Sequence, residues 1–164
     1  VAVWAVVEAT RKPEDVEPWL ESMARVDALI VTDTDLSADP RSWDIVLFLG
    51  VLYHLRYPLL GLDIVSRRVE RLLVLQCLSA PDAEVLPAPP DLGLDDRAPL
   101  VQSGWPRLSF IERRMAGDPT NWWVPNRACV EAMLRSCGMR VAVRPLEEFY
   151  IAEPDPGGES NMWR

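Results

Sequence analysis

The residues best suited to chemistry lie in one short segment that follows an apolar run. Residues Asp44 to Leu49 become continuously apolar after the first position, and Gly50, Tyr53, His54 and Arg56 follow directly. A short apolar run without alternation is typical of a parallel strand buried on both faces. In open α/β sheets, ligands bind at the carboxyl ends of the strands. We therefore expect a binding site immediately after this strand.

Each polar position in this segment suits a different task. Gly50 lets the backbone approach a ligand closely, because it has no side chain. His54 is the only histidine of the chain and can act as a general base, with Tyr53 lining the pocket beside it. A lone histidine more often has a structural hydrogen-bonding role, and the sequence leaves both roles open.

Acidic residues follow the two strands expected earlier in the chain. Glu8 comes after the first strand, and Asp33 and Asp35 come after the second. A carboxylate at such a position can accept hydrogen bonds from both ribose hydroxyls of a nucleoside. An acid at the next strand end can accept one from the adenine amine. These acids favour a nucleoside-containing ligand.

A second group of candidate residues surrounds two adjacent tryptophans. Neighbouring side chains of an extended segment point in opposite directions, so Trp122 and Trp123 cannot both be buried on the same side. One is expected in the core and the other over a ligand; the alternative is that both only pack. With Arg113, Arg114 and Arg127 nearby in the sequence, the tryptophans could stack on a base while an arginine, Arg127 in particular, contacts a phosphate. Arg56, in the segment after the apolar strand, is a further candidate for substrate binding.

The elements that must position these residues alternate between strands and helices. Helices between buried strands imply a mainly parallel α/β sheet with right-handed crossovers. The predicted order is a strand Val1–Val7, a helix Glu14–Arg25, strands Ala28–Thr32 and Asp44–Leu49, a helix from Pro58 to Arg71, and a strand Leu72–Leu78.

The second half of the chain predicts a helix and a hairpin. Asn126 is a good helix cap, and Gly138 stands where helices prefer to end, so we expect a helix up to Cys137. Met139–Val143 and Phe149–Ala152 predict an antiparallel hairpin at the sheet edge. We expect one domain over residues 1–152 and a flexible tail over 153–164. Residues 79–106 are proline-rich and predict a lid, a binding loop or a mobile insert.

Composition narrows the range of partners. The 164 residues suit one domain, and the net charge is −8. The charge balance is −8 over residues 1–100 but +4 over residues 101–146, which argues against general nucleic-acid binding and allows one anionic ligand. Three cysteines without metal-ligand spacing are expected to be small buried hydrophobes. With no membrane-length apolar run and no signal-peptide pattern, we expect a cytoplasmic protein without a membrane partner.

Two segments resemble a known family. Leu49–Pro58, with its Gly-Val-Leu-Tyr-His followed by a basic residue and proline, is similar to the motif after the fourth strand of class I S-adenosylmethionine-dependent methyltransferases. More narrowly, it resembles the family of the methyltransferase-like enzyme that completes 5-oxyacetyl uridine at the tRNA wobble position. Gly117–Gly138 is similar to a bacterial branch of that family. The resemblance extends over about residues 42–152.

The resemblance implies a Rossmann-like methyltransferase with S-adenosylmethionine as cofactor. By position, Glu8 would bind the ribose, Asp33 and Thr34 would lie beside the adenine, and Leu49, Gly50 and Tyr53 would line the methionine part. The wobble-uridine enzyme reads the carboxylated form of the cofactor with an arginine near its chain end. Here only Arg164 stands there, so ordinary S-adenosylmethionine is expected rather than carboxy-S-adenosylmethionine.

The chain departs from the family at its beginning. Such enzymes start with a strand and a glycine-rich turn, yet no glycine precedes Gly50. Two interpretations are open. In the first, which we prefer because Glu8 and Asp33 then fall in register, Val1–Val7 is the second strand, and the first strand and helix are missing. In the second, Val1–Val7 is the first strand and another sequence replaces the glycine-rich turn. The acceptor is unidentified, with tRNA wobble uridine and a small anionic molecule as candidates. The rival function is a non-catalytic binding module derived from a methyltransferase.

Overall fold

A six-stranded sheet forms the centre of the molecule. We analysed a computed structural model of the chain, which describes the backbone of residues 3–7 and 28–30 and the complete residues 41–157. The described strands are β1 (Val3–Val7), β2 (Ala28–Ile30), β3 (Trp43–Leu49), β4 (Val69–Gln76), β5 (Leu108–Phe110), β6 (Trp123–Pro125), β7 (Met139–Leu146) and β8 (Phe149–Pro154). The helices are α1 (Pro58–Ser66) and α2 (Arg127–Ser136), with 3₁₀ turns at Leu52–His54 and Ala98–Val101.

The strand order confirms the predicted fold class. The order is β2-β1-β3-β4-β8-β7, with parallel pairing among β1 to β4 and antiparallel pairing of β8 with β4 and of β7 with β8. The chain runs outward from β1 to β2 and then returns to β3 on the other side of β1. Ligands bind at such a reversal in doubly wound sheets, at the carboxyl ends of the strands.

The register places the ends of three parallel strands side by side. Val7 of β1 pairs with Leu49 of β3, and Leu49 pairs with Gln76 of β4. In the part of the chain that the structure describes, no strand separates β1 from β3. Gly50 therefore follows the middle strand of three at the carboxyl edge of the sheet.

One face of β3 and β4 forms the main core with the two helices. Val46 and Phe48 of β3 alternate with less buried neighbours, as do Leu73 and Leu75 of β4, and all four are inaccessible to solvent. They belong to one buried cluster that includes Leu62 and Val65 of α1, Val130 and Leu134 of α2, and Tyr150 and Ala152 of β8. Burying such side chains stabilises the fold by about 1.5–3 kcal/mol each.

Helix α1 is shorter than predicted. It ends at Ser66, not at Arg71, and β4 begins at Val69 instead of Leu72. The Arg68 carbonyl already accepts a hydrogen bond from the Trp43 N–H at 2.7 Å, which starts the β3–β4 ladder. Sheet pairing thus overrides the continuing helical pattern. The predicted helix Glu14–Arg25 lies outside the described residues.

The predicted helix cap and the predicted edge hairpin are confirmed, although α2 ends one residue before Cys137. The hairpin strands extend to Leu146 and Pro154, beyond the predicted ends at Val143 and Ala152. The Asn126 side chain accepts a hydrogen bond from the Cys129 N–H and caps α2, while Gly138 has a φ of 74° just beyond its last turn. Strand β7 contains Pro145, which the sheet accommodates because β7 is an edge strand with a register shift between Val143 and Leu146.

The segment 79–106 is irregular apart from the turn at Ala98–Val101, and its carboxylate Asp82 makes several of the hydrogen bonds that hold it. Asp82 accepts hydrogen bonds from the Asn126 side chain, the Gly104 N–H, the Ser103 hydroxyl and the Arg107 guanidinium. These donors, Asn126 and Gly104 first, hold the pKa of Asp82 well below its usual range. The segment is therefore anchored to the first turn of α2. Its role as a lid or binding loop stays a prediction.

Candidate functional site

Gly50 follows β3 at the carboxyl edge of the sheet and has a left-handed backbone conformation. Its φ is 73°, and its N–H donates to the Gln76 carbonyl at 3.2 Å. A Cβ at this position would lie 3.4 Å from the Tyr53 hydroxyl oxygen and 3.6 Å from Gln76 Oε1. The Gly50 backbone, which has no side chain to cover it, thus lies beside a hydroxyl group and an amide.

Gln76 was not identified from the sequence as a site residue. Its Nε2 donates to Glu148 Oε2 at 3.3 Å, and Glu148 Oε1 accepts from the Ser79 N–H at 3.2 Å. These contacts fix the Gln76 side chain beside Gly50. The only available sequence signal was that Gln76 is the one polar residue of the predicted strand Leu72–Leu78.

The turn at Leu52–His54 sets Tyr53 and His54 next to each other. Leu52 is buried and anchors the turn in the core, and the rings of Tyr53 and His54 lie 4.4 Å apart with a 45° tilt. The two candidate catalytic residues therefore share one small area beyond the end of β3.

Residues 118–122 pack against this turn although they are far away in sequence. The Trp122 N–H donates to the Tyr53 carbonyl at 3.0 Å. The Arg56 guanidinium lies 4.8 Å from the centre of the Trp122 ring, a cation–π contact. The structure thus brings Arg56 and Trp122, predicted from two separate motifs, to the same place beside Tyr53.

His54 is held by the same segment. Its Nδ1 lies 2.9 Å from the Thr120 hydroxyl and 3.1 Å from the Thr120 carbonyl oxygen. The Thr120 hydroxyl and N–H both lie 2.7 Å from Asp118 Oδ1, to which they donate. These two donors lower the pKa of Asp118, with a smaller contribution from His54. Thr120 and Asp118 were not predicted as site residues.

Trp123 and Arg127 make other contacts. Trp123 lies in β6 with its ring 5.0 Å from that of Phe110, and its buried Nε1 has no hydrogen-bond partner among the described residues. Arg127 donates from Nε to Glu131 at 2.8 Å and from Nη1 to the Ala83 carbonyl at 3.1 Å. Arg127 thus links α2 to the segment 79–106. Substrate binding by these two residues stays a prediction.

Of the remaining predicted site residues, one lies at the end of β3 and three lie outside the residues that the structure describes. Leu49 is the final residue of β3, immediately before Gly50. Glu8, Asp33 and Thr34 lie outside the described residues, and so their predicted contacts with ribose and adenine stay predictions. Val7, which precedes Glu8, pairs with Leu49.

The cysteines and the surface depressions point to no second reaction site. All three cysteines are buried, as predicted, and burial raises the pKa of the Cys129 thiol to about 11. An open depression of about 470 Å³ lies at the amino end of β4, beside Glu70 and Arg71, on the sheet edge opposite to Gly50. Within residues 41–157 and the described strands β1 and β2, no cluster of metal-ligating side chains occurs and no helix is long and apolar enough to cross a membrane.

Among known proteins, only solved structures match this chain. No family model and no curated protein matches the chain. One solved structure that matches is the 1,6-didemethyltoxoflavin-N1-methyltransferase of Burkholderia thailandensis, with bound 1,6-didemethyltoxoflavin and S-adenosylhomocysteine. It is 11% identical to this chain with a TM-score of 0.55, and the match covers 94% of this chain and 71% of that one.

Two further structures match over the same share of this chain. The magnesium protoporphyrin IX methyltransferase of Synechocystis PCC 6803, with bound S-adenosylmethionine, is 11% identical with a TM-score of 0.55, over 94% of this chain and 70% of that one. An O-methyltransferase family protein of Burkholderia thailandensis is 11% identical with a TM-score of 0.59, over 94% of this chain and 50% of that one. The chain therefore has the Rossmann-like fold found in these methyltransferases.

Proposed function

We propose that this chain is an S-adenosylmethionine-dependent methyltransferase domain. The observation that carries the proposal is the position of Gly50, next to the topological reversal of a methyltransferase-like sheet. The Tyr53 hydroxyl and the Gln76 amide lie 3.4 and 3.6 Å from where a Cβ of residue 50 would stand. These groups fit the polar amino-acid part of S-adenosylmethionine, and the fold is one in which two similar structures hold that cofactor or its product.

The cofactor site is proposed to include residues from three strand ends. Leu49, Gly50 and Tyr53 would line the methionine part, with Glu8 at the ribose and Asp33 and Thr34 at the adenine. When bound, S-adenosylmethionine supplies a methyl group activated by its sulfonium charge. The protein then needs to orient the acceptor in line and, for an acidic O–H or N–H, to take up a proton.

For the acceptor side, we propose a small, flat, anionic molecule. Arg56 stacked on Trp122 presents a positive charge and an aromatic face in one place, which suits such a molecule. Trp123 and Arg127 are the other candidates for acceptor contacts. A wobble uridine in tRNA is the second acceptor class, disfavoured by the net charge of −8.

Titration calorimetry tests the cofactor proposal. We expect S-adenosylhomocysteine and S-adenosylmethionine to bind this chain, and we expect Gly50→Ala to weaken that binding. If neither ligand binds at millimolar concentration, to this chain or to one extended upstream of Val1, the enzyme proposal is wrong. The non-catalytic alternative would then account for the fold.

Methyl transfer is measured separately from binding. The protein is incubated with radiolabelled S-adenosylmethionine and flat aromatic carboxylates or phenols in one series of reactions, and with unmodified tRNA in another. Labelling of the small molecules, reduced in Arg56→Ala and Trp122→Leu, supports the proposed acceptor class. Labelling of tRNA alone would refute that class and leave the cofactor proposal intact.

A further inference from the structure

The hydrogen bonds around His54 determine which ring nitrogen carries the proton. The Thr120 carbonyl oxygen can only accept a hydrogen bond, and it lies 3.1 Å from His54 Nδ1. Nδ1 must therefore donate its N–H. The Thr120 hydroxyl, 2.9 Å away, accepts from the same N–H, because its own hydrogen is directed to Asp118 at 2.7 Å.

This assignment leaves the other ring nitrogen basic. In a neutral imidazole with hydrogen on Nδ1, the in-plane lone pair is on Nε2. The two nitrogens are separated by one ring carbon and their in-plane directions diverge, so Nε2 is directed away from Thr120. A histidine held in this way is prepared to accept a proton at Nε2.

The segment that holds His54 is itself rigidly built. Met115 and Asp118 exchange two backbone hydrogen bonds, of 3.1 and 3.0 Å, across a turn whose central residues Ala116 and Gly117 have φ values of 54° and 83°. Two positive φ values identify the tight type I′ turn. The buried Asn121 side chain donates to the Met115 carbonyl at 3.1 Å and ties the turn to the following residues.

We infer that Thr120 and Asp118 are positioning residues that make His54 a general base through Nε2. The inference rests on the proposed function for the use of this base. As the acceptor oxygen or nitrogen bonds to the methyl carbon, the S–CH₃ bond breaks and its electron pair stays on sulfur as a neutral thioether. The acceptor proton passes to Nε2, and the charge of Asp118 stabilises the resulting imidazolium through Thr120.

The proton position can be read directly by NMR. The chain has one histidine, so a long-range ¹H–¹⁵N spectrum of the ¹⁵N-labelled protein shows a single set of ring signals. With the imidazole neutral, we expect Nδ1 to have the shift of a protonated nitrogen and Nε2 that of an unprotonated one. The opposite pattern would overturn the inference, because Nδ1 would then not donate to Thr120.

Matched variants separate positioning from folding. Thr120→Val removes the hydroxyl at nearly constant volume, and we expect the ratio of the two tautomers to change by about 2- to 10-fold, the value of one lost hydrogen bond. Thr120→Ser keeps the hydroxyl and should restore the wild-type ratio. An unchanged ratio in Thr120→Val, in a variant whose amide spectrum shows an intact fold, would refute the role of the hydroxyl.

Calorimetry distinguishes this inference from the proposed function. The three proteins are titrated with S-adenosylhomocysteine, and we expect equal affinities because Thr120 bonds to His54 and is not among the residues proposed to bind the cofactor. Cofactor binding together with a proton on Nε2 refutes the positioning inference alone. A proton on Nδ1 without any cofactor binding refutes the use of His54 in methyl transfer.

Discussion

Replacing Gly50 by alanine tests whether the space at the end of β3 binds the cofactor. Gly50 has a φ of 73°, in the left-handed region, where an alanine costs about 1–2 kcal/mol. Alanine also reduces the freedom of the unfolded chain, which returns about 0.4–1 kcal/mol. The new Cβ would stand 3.4 and 3.6 Å from its nearest neighbours, which are ordinary contact distances. We therefore expect a net loss of about 1 kcal/mol in the free energy of unfolding.

Gly138 provides a matched control. Its φ is 74°, so Gly138→Ala carries the same backbone strain. It follows α2 and precedes β7, whose first residue pairs with Pro154 of β8, at the opposite edge of the sheet from Gly50. Each variant should lower the urea midpoint by about 0.5 M, given the usual dependence of stability on urea.

Only the variant at the site should change ligand binding. In Gly50→Ala the Cβ occupies the space proposed for the cofactor, and we expect the affinity for S-adenosylhomocysteine to fall at least tenfold, which corresponds to about 1.4 kcal/mol. Gly138→Ala should bind as the wild type does. Equal affinities in all three proteins, measured by calorimetry, would refute the placement of the cofactor at Gly50.

Three further predictions concern Asn126 and Asp82, which anchor segment 79–106, and Glu8, which follows Val7 in the sequence. Asn126 is buried and makes four side-chain hydrogen bonds, so Asn126→Ala should cost about 3 kcal/mol in urea unfolding; a loss below about 1 kcal/mol would contradict its role as the anchor. The pKa of Asp82 lies below its usual range because Asn126 and Gly104 donate to it, so its stabilisation is complete above the unfolded value of about 4 and is lost as the pH falls below it. The difference in melting temperature between wild type and Asp82→Asn should therefore shrink on acidification, and a constant difference would argue against this linkage. Glu8→Ala should weaken cofactor binding in calorimetry, whereas unchanged affinity would reject Glu8 as the ribose-binding residue.

Patterns that act over a few residues were sufficient to predict the elements near the site. The apolar run before Gly50 identified β3, and its abrupt polar end located Tyr53 and His54. Asn126 and Gly138 fixed the two ends of α2, because capping and a positive φ are requirements of the local backbone. The alternation of strands and helices then gave the fold class.

The end of α1 shows where local patterns fail. Its helical periodicity continues toward Arg71, but the helix stops at Ser66 because the Arg68 carbonyl pairs with Trp43. Trp43 lies on another strand, 25 residues earlier in the chain. A pairing between strands depends on the register of the whole sheet, which no short window of sequence contains.

The sequence by itself determined the α/β class, the strand that leads into the site, and the residue types available there. Only the tertiary structure decided which distant residues complete the site: Thr120 reaches His54 across 66 positions, and Gln76 reaches Glu148 across 72. Residues in these pairs carry no signal for each other in the sequence, because nothing in the spacing or periodicity of one constrains the other. Their contacts arise when the sheet register and the packing of segment 118–122 bring separate parts of the chain within hydrogen-bond distance.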